Sequence, residues 1–413
     1  MKLTINIIHK KMEKDINIVN NNITLYIYKP TNYEILLLTT KLANHFKIYD
    51  IIDMITVIFD KMDSNLIDRL LIKLDNIFYS FYPNNTKINY TNINSYQQKL
   101  ISRLKNYKDI VMETHKTPDT YLKHIKDNIP KDYKVKIYKI KPNDKTFSLV
   151  SAVGQGSRYN SYFIHIYKKN QNKHAKNIVL IGKSITYDAG GLDLKLNHMN
   201  LMKTDMTGSA IILNVLLLLH DNHDNHNIHL LIPIAENMIS NMAVRPGTVI
   251  DTMCGTSVEI TNTDAEGRLC LADALSYCIK YLMPKIKINL ILSIATMTGN
   301  VCKVSSVGSV LMSNTIGYKY ARKIKKIGED IGEYCDYIKL RDEDKPFLLS
   351  TVADISNYNP QCTAGTAYAG MFLKHFINDE APWIYIDIGC GTFDDNKINS
   401  YGILLLYKFI KKI

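Results

Sequence analysis

The chain has 413 residues, enough for two or three ordinary domains, and its composition of 46% hydrophobic and 22% charged residues is typical of a soluble globular protein. No uninterrupted apolar run reaches the roughly 20 residues that span a bilayer. The start, MKLTINIIHKKMEKD, lacks the apolar segment and cleavage site of a signal peptide. We therefore expect a cytoplasmic protein with no membrane partner. The formal charge of +12 permits a nucleic-acid partner, but the lysines are spread along the chain, which does not favour that role.

Residues 1–98 are predicted to form a small α/β domain. Apolar stretches at Ile23–Tyr28 and Ile35–Leu38 indicate strands, and the spacing of apolar residues in Leu66–Phe81 indicates a helix. The segment Pro83–Asn94 is dense in Asn and Thr and is interpreted as a turn-rich boundary.

Residues 99–413 are predicted to form a larger domain in which short apolar strands alternate with helices. Helices are expected at Leu100–Met112, from Thr117 onward, at Ser209–Leu219 and at Leu269–Leu282, and strands at Phe147–Val153, Tyr162–Tyr167, Asn177–Ile181, His229–Pro233 and Ile288–Ile294. Such alternation predicts an α/β sheet covered by helices on both faces, with functional residues in loops at the carboxyl ends of the strands.

Two other groups of residues of metal-binding type, the cysteines and a histidine-rich tract, are not predicted to form metal sites. Seven cysteines without a C-x-x-C pair argue against a disulfide framework and against a structural zinc site. A histidine-rich tract lies in a stretch of Asp and Asn between a predicted helix and strand, and is interpreted as a solvated loop; it comprises His220, His223, His226 and His229.

Three segments carry residues suited to metal chemistry: Ile181–Lys195, Met202–Ala210 and Asn262–Leu269. In the third, Asp264, Glu266 and Arg268 occupy alternate positions, so an extended loop would turn them the same way. Two carboxylates that close repel unless a cation lies between them, and a divalent metal is the usual solution. An isolated D-x-E-x-R pattern would be an ordinary surface turn with a salt bridge, so the other two segments decide its meaning.

Asn262–Leu269 reads NTDAEGRL and resembles the signature octapeptide of the leucine aminopeptidase (cytosol aminopeptidase) family. The other two segments resemble the family's K-x-x-x-x-D-x-G-G-x-x-x-K and M-[KR]-x-D-M-x-G-[SA]-A stretches. Further similar pieces, among them Glu236-Asn-Met238, occur in the same order as in the family, and the resemblance covers about residues 99–413. It implies a small N-terminal α/β domain, shorter here than the family norm, and a catalytic domain with a central mixed β-sheet flanked by helices.

The resemblance also implies a two-metal aminopeptidase that hydrolyses the N-terminal peptide bond of peptides with a bridging water as the nucleophile. The implied metals are Zn²⁺ or Mn²⁺, with Mg²⁺ or Co²⁺ as alternatives. Implied ligands of the tighter metal are Lys183, Asp188, Asp205 and Glu266, and those of the second metal are Asp188, Asp264 and Glu266. Lys195 would hydrogen-bond the scissile carbonyl oxygen, and Arg268 would hold a bicarbonate ion.

Substrate preference and assembly also follow from the resemblance. Met202, Thr296 and Gly299 match pocket positions and imply an apolar pocket that favours Leu-like first residues, and the family implies a homohexamer. Thr207 stands where the family commonly has Gly, so the start of the following helix is expected to differ. Two other roles stay open: a catalytically weak structural relative, and a DNA-binding relative.

Overall fold

The computed structural model describes residues 2–8, 16–19, 22–27, 30–46, 54–60, 62–81, 87–170, 172, 174–377, 379–394 and 397–413. Its strands are β1 (Lys2–Ile8), β2 (Ile16–Val19), β3 (Asn22–Tyr26), β4 (Met54–Phe59), β5 (Lys87–Thr91), β6 (Lys134–Ile140), β7 (Ser161–Tyr167), β8 (Asn177–Gly182), β9 (Ser184–Asp188), β10 (Asn227–Asn237), β11 (Thr248–Asp251), β12 (Ser257–Ile260), β13 (Leu290–Ala295), β14 (Ser309–Ser313), β15 (Cys335–Tyr337), β16 (Ile355–Ser356), β17 (Trp383–Asp387), β18 (Phe393–Asp394) and β19 (Lys397–Ile398).

The α-helices are α1 (Asn32–Phe46), α2 (Ser64–Phe81), α3 (Ser95–Met112), α4 (Pro118–Asn128), α5 (Ser148–Gly154), α6 (Thr207–Asp221), α7 (Glu266–Tyr277), α8 (Tyr318–Ile331), α9 (Gly365–His375) and α10 (Ile403–Ile410). Short 3₁₀ helices lie at Met199–Thr204, Gly299–Lys303 and Asp342–Leu348, and a π-helical turn at Cys278–Leu282 follows α7.

The N-terminal part forms a sheet of five strands in the order β2-β3-β1-β4-β5, in which only β2 runs antiparallel to its neighbour. Along β4 the side chains alternate between half-buried and buried, so one face of the sheet packs against α1 and α2. The predicted helix at Leu66–Phe81 coincides with α2.

The predicted strand at Ile35–Leu38 is wrong, since these residues lie in α1. Ile35, Leu38 and Leu42 share one helical face at spacings of three and four and are buried against the sheet. Of the remaining N-terminal expectations, Tyr28 and residues 83–86 lie outside the described residues, and β5 occupies part of the predicted turn segment.

The larger part is built on a nine-stranded mixed sheet in the order β15-β14-β17-β13-β8-β10-β7-β6, with β9 also paired to β10. The central strands β17, β13, β8 and β10 run parallel. Toward one edge β14 runs antiparallel to β17 and β15 runs parallel to β14, and toward the other β7 runs antiparallel to β10 and β6 antiparallel to β7. Helices α3, α4, α6, α8 and α10 cover one face, and α5, α7 and α9 cover the other. The α/β fold class is confirmed.

Two predictions for this larger part need correction. Phe147–Val153 is not a strand, because Ser148–Gly154 forms the fully buried helix α5; a short, mostly apolar run has too little periodicity to separate the two structures. His229 is not in a solvated loop but lies buried in β10, whereas His220, His223 and His226 lie at or beside the connection between α6 and β10.

The helical stretch Met199–Asp221 is long and apolar enough by composition to cross a membrane, although no uninterrupted apolar run suggested it. In the protein, 83% of its most apolar window is buried. Its main part, α6, packs between α3, α10 and the central sheet, so this is the core helix of the larger part. The Thr207 hydroxyl donates a hydrogen bond of 2.5 Å to the Thr204 carbonyl oxygen, which accommodates this side chain at the start of α6.

The predicted domain boundary after residue 98 falls inside α3, which packs against α2 on one side and α6 on the other. Asp75 and Asp68 on α2 form ion pairs with Lys108 and Lys408 of the larger part. The two sheets are therefore joined by a shared helix and by partly buried charge pairs.

Candidate metal centre

Charged side chains converge at the carboxyl ends of the central parallel strands. Lys183 lies between β8 and β9, Asp188 ends β9, and Thr296 follows β13. Glu266 begins α7, and Asp205 follows the 3₁₀ helix Met199–Thr204. This is the edge at which open α/β sheets place their functional loops.

Three carboxylates lie close enough to share a cation. Asp188, Asp264 and Glu266 each offer an oxygen, and these oxygens lie within 4.8 Å of one another. Burial, followed by the charges of Glu266 and Asp188, raises the pKa of Asp264 to about 7. Burial and then the charge of Glu266 likewise raise the pKa of Asp188. The donor set is therefore one that a divalent cation would stabilise, since carboxylate oxygens are good ligands for such ions.

Lys183 is a buried cation between Asp205 and Glu266. Its Nζ lies 2.6 and 2.8 Å from the two Asp205 oxygens, and 2.7 Å from Oε1 of Glu266. It also donates a hydrogen bond of 2.9 Å to the Thr296 carbonyl oxygen. Burial lowers the pKa of Lys183, but the neighbouring carboxylates outweigh this and raise it above its ordinary value. To act as a metal ligand, this amine would have to give up its proton.

Gly267 makes room for the Lys183 side chain at the start of α7. A Cβ atom at this position would lie 2.4 Å from Cε and 2.7 Å from Cδ of Lys183. Any larger residue here would displace the lysine from its carboxylates.

Lys195 bridges the other two carboxylates. Its Nζ lies 2.8 Å from Oδ2 of Asp188 and 2.5 Å from Oδ1 of Asp264. Burial lowers the pKa of Lys195, but Asp188, Glu266 and Asp264 together raise it above its ordinary value, so the side chain is a cation. The preceding loop turns sharply at Gly190 and Gly191, whose φ angles of 90° and 67° favour glycine.

Arg268 follows Gly267 in α7. No described ion pair joins its guanidinium to these carboxylates. Its Nη1 donates a hydrogen bond of 2.7 Å to the Asn357 carbonyl oxygen, and its guanidinium lies 5.6 Å from the centre of the Tyr368 ring. The buried Nε has no hydrogen-bond partner within the part of the chain that the structure describes. That nitrogen is a donor available to an anion.

Several supporting residues were not identified from the sequence. The Asn237 side-chain nitrogen donates to Oδ1 of Asp188 at 2.8 Å and to the Thr263 carbonyl oxygen at 3.0 Å, which ties β10 to the NTDAEGRL segment. Asn237 lies in the family-like piece Glu236-Asn-Met238, which was the one available signal. Asn357, which holds Arg268, carried no signal in the sequence.

Two of the three predicted pocket residues contact Asp205 of the same centre. The Thr296 hydroxyl donates a hydrogen bond of 2.8 Å to Oδ1 of Asp205, and the Met202 carbonyl oxygen accepts from the Asp205 backbone N–H at 3.3 Å. Gly299 begins a 3₁₀ helix, and a Cβ atom there would meet nothing within 4 Å. A side chain at position 299 would therefore project into open space.

Comparisons with known proteins agree with the motifs. Residues 106–403 match the family described as "Cytosol aminopeptidase family, catalytic domain". A "Probable cytosol aminopeptidase" of Rickettsia massiliae is 36% identical over 276 residues, which cover 63% of this chain and 53% of the relative. One of Rickettsia rickettsii (strain Sheila Smith) is 33% identical over 315 residues, covering 72% of this chain and 61% of the relative. The chain thus spans between one half and two thirds of the length of these relatives.

The fold is also that of a solved structure. The structure of the bottromycin maturation enzyme BotP in complex with Mn aligns with a TM-score of 0.83 at 19% identity, covering 100% of this chain and 99% of that chain. At this identity the likeness concerns the fold alone, and it includes the N-terminal sheet.

Proposed function

The chain belongs to the cytosol aminopeptidase family, and on that premise we propose that it is a metal-dependent aminopeptidase that removes the N-terminal residue from peptides. The observation that carries this proposal is the convergence of Asp188, Asp264 and Glu266 within 4.8 Å of one another, at the strand ends where Lys183 and Lys195 also meet. Buried carboxylates packed this closely are costly to ionise, and the pKa of Asp264, raised first by burial and then by the charges of Glu266 and Asp188, expresses that cost.

We propose two divalent metal ions, with Zn²⁺ or Mn²⁺ favoured and Mg²⁺ or Co²⁺ possible as substitutes. Lys183, Asp188, Asp205 and Glu266 would hold one ion, and Asp188, Asp264 and Glu266 the other. Bound there, the two ions would supply Lewis acidity and an activated water as the nucleophile near neutral pH.

Of the two proposed catalytic side chains, one would stabilise developing negative charge and the other would hold the anion that accepts a proton. Lys195 is a cation with its ammonium group beside Asp188 and Asp264, so it can donate a hydrogen bond to a carbonyl oxygen as negative charge develops there. Arg268 offers its unpaired Nε to an anion, and a bicarbonate held there would take up a proton from the attacking water.

The pocket proposal rests on Met202, Thr296 and Gly299. A side chain at Gly299 would meet nothing within 4 Å and the Met202 side chain is apolar, so we expect a Leu-like first residue to be favoured. One methylene more or less in such a pocket changes discrimination by about 1–3 kcal/mol.

We also propose that the chain acts in the cytoplasm as a homohexamer. The loop that carries Lys195 exposes three apolar side chains, Leu192, Leu194 and Leu196, the last of them 91% exposed. Apolar residues exposed together commonly mark an interface. The molar mass in solution, measured by light scattering, tests this assembly.

Hydrolysis of a panel of aminoacyl-p-nitroanilides tests the activity. The purified protein is stripped of metal and then supplied with Mn²⁺, Zn²⁺, Co²⁺ or Mg²⁺. Asp264→Asn removes one clustered carboxylate, and Asp251→Asn at the exposed end of β11 is the matched control. We expect metal-dependent cleavage that is lost in Asp264→Asn and kept in Asp251→Asn. No cleavage by folded protein with any of the four metals would instead favour a structural role.

A further inference from the structure

A second concave site, which none of the residues of the candidate metal centre lines, lies between the edge strand β6, its neighbours β7 and β10, and the end of α7. It has a volume of about 580 Å³, which falls within the range of pockets that hold small molecules. Five aromatic rings line it: Tyr138, Phe147, Tyr167, Tyr277 and Tyr281.

Two buried histidines complete the wall. His165 and His229 are 2% and 7% exposed, and Nε2 of His165 lies 3.0 Å from Nδ1 of His229. The Tyr167 ring stacks on both, with ring centres 4.7 Å from His165 and 5.6 Å from His229. Burial lowers the pKa of His165 to about 3 and that of His229 to about 4, so both rings are neutral near neutral pH.

The histidine pair continues into a chain of hydrogen bonds. The Tyr277 hydroxyl lies 3.3 Å from Nδ1 of His165, and the Tyr138 hydroxyl lies 3.3 Å from that of Tyr277. If each group in the order Tyr138, Tyr277, His165 donates to the next, His229 accepts at Nδ1 and therefore carries its proton on Nε2. A neutral histidine in that tautomer presents an N–H donor to the cavity.

Positive charge surrounds this aromatic wall. Lys136, Lys139 and Lys285 line the cavity together with a single carboxylate, Asp144. One Asp144 oxygen already accepts hydrogen bonds from two backbone N–H groups, those of Thr146 and Phe147. The ammonium groups are therefore in excess at the rim.

We propose that this cavity binds a small planar aromatic molecule that carries a carboxylate or phosphate group. The ring stacks against the tyrosine side chains, the anionic group lies among Lys136, Lys139 and Lys285, and His229 donates a hydrogen bond. Aromatic stacking and rim ammonium groups select different parts of one ligand, so neither a neutral ring nor a non-aromatic anion satisfies the site.

The cavity and the metal centre lie at opposite ends of the parallel strands of the sheet. His229 is near the start of β10, which runs parallel to β8, whereas the metal centre lies beyond the carboxyl end of β8. Helix α7 connects the two sites, because it begins at Glu266 and ends at Tyr277. The ligand would thus bind without occupying the peptide site.

Calorimetric titration of the full-length, metal-loaded protein tests the proposal with four probes. 2-Naphthoate and AMP represent the aromatic carboxylate and the nucleoside phosphate, 2-naphthylmethanol lacks the charge, and cyclohexanecarboxylate lacks the aromatic ring. We expect one molecule of 2-naphthoate or AMP to bind saturably to each chain. The two incomplete analogues should bind at least about tenfold more weakly. The proposal would be overturned if either incomplete analogue bound as tightly as 2-naphthoate or AMP, or if neither 2-naphthoate nor AMP bound saturably.

Variants at the exposed rim separate this cavity from the metal centre as the place of binding. The double variant Lys136→Gln/Lys285→Gln should weaken binding about fivefold, and Lys287→Gln, an exposed lysine near Lys285 that does not line the cavity, should leave it unchanged. Tyr281→Leu should weaken it about tenfold through lost stacking. Binding that is insensitive to all of these changes belongs elsewhere, for example at the metal centre, and contradicts the assignment.

Discussion

Replacing Gly267 by alanine tests whether the position of Lys183 holds the centre together. The added Cβ would lie 2.4 Å from Cε of Lys183, whereas carbon atoms in contact are about 3.5–4.0 Å apart. The lysine must therefore move by roughly 1 Å. It cannot do so freely, because its Nζ is held by Asp205, Glu266 and the Thr296 carbonyl oxygen.

The expected loss of stability follows from two opposing effects. Alanine is a better helix former than glycine by about 1 kcal/mol, which favours the variant. Disruption of a buried ion pair costs about 3–5 kcal/mol. The net decrease in the free energy of unfolding is thus about 2–4 kcal/mol, and at about 2.1 cal/mol/K per residue this chain should unfold about 2–5 °C lower.

The measurement is thermal unfolding of metal-stripped protein, together with metal-dependent hydrolysis of leucine p-nitroanilide, which should fall sharply. Gly299→Ala is the matched control for stability, because a Cβ atom there meets nothing within 4 Å. Unchanged unfolding temperature and activity within twofold of wild type in Gly267→Ala would refute the reasoning, since they would mean that Lys183 has room to move without loss.

Three further predictions concern single side chains. Thr296→Val removes the hydroxyl that donates to Asp205, and a hydrogen bond to a charged group is worth about 1.5–3 kcal/mol. The metal affinity, measured by titration, should therefore fall about tenfold to a hundredfold. The control variant Thr298→Val should keep the wild-type metal affinity. Lys195→Met should lower kcat by about 10²–10³ at unchanged metal content by elemental analysis; a loss of metal instead would make Lys195 a structural residue. Burial raises the pKa of Asp273 to about 8, so the folded chain retains a proton that the unfolded chain releases above about pH 4. Stability in urea should therefore fall as pH rises from about 4 to 8, and Asp273→Asn should flatten that slope; an equal slope in both proteins would contradict the shift.

The sequence was most informative where functional residues are contiguous. Asp264 and Glu266 stand in one octapeptide and their carboxylates meet as anticipated. The extended loop expected to turn Arg268 the same way is wrong, because α7 begins at Glu266 and Arg268 contacts Asn357 instead. The hydrogen bond from Arg268 to the Asn357 carbonyl oxygen joins residues far apart in the chain, so it could not be predicted from the spacing of residues in the sequence. The His165–His229 pair was missed for the same reason, since it forms only when β7 and β10 lie side by side.

The errors in the fold also have a common physical cause. Ile35–Leu38 and Phe147–Val153 are short apolar runs, and such a run can be buried equally well as a strand or as a turn of helix. Longer segments with helical spacing, such as Leu66–Phe81 and Leu100–Met112, were placed well, since α2 and α3 cover them. Tertiary contacts decided the short runs, and those contacts are not encoded in local spacing.

The charge balance of the centre would allow the chain to fold without metal and then bind it. Four carboxylates, those of Asp188, Asp205, Asp264 and Glu266, face the two ammonium groups of Lys183 and Lys195, which leaves a net charge of −2 when all are ionised. The lysines relieve enough repulsion to let the strand ends meet, and the remaining negative charge attracts divalent cations. Because Lys183 must lose its proton to become a ligand, metal binding should release protons and strengthen as pH rises.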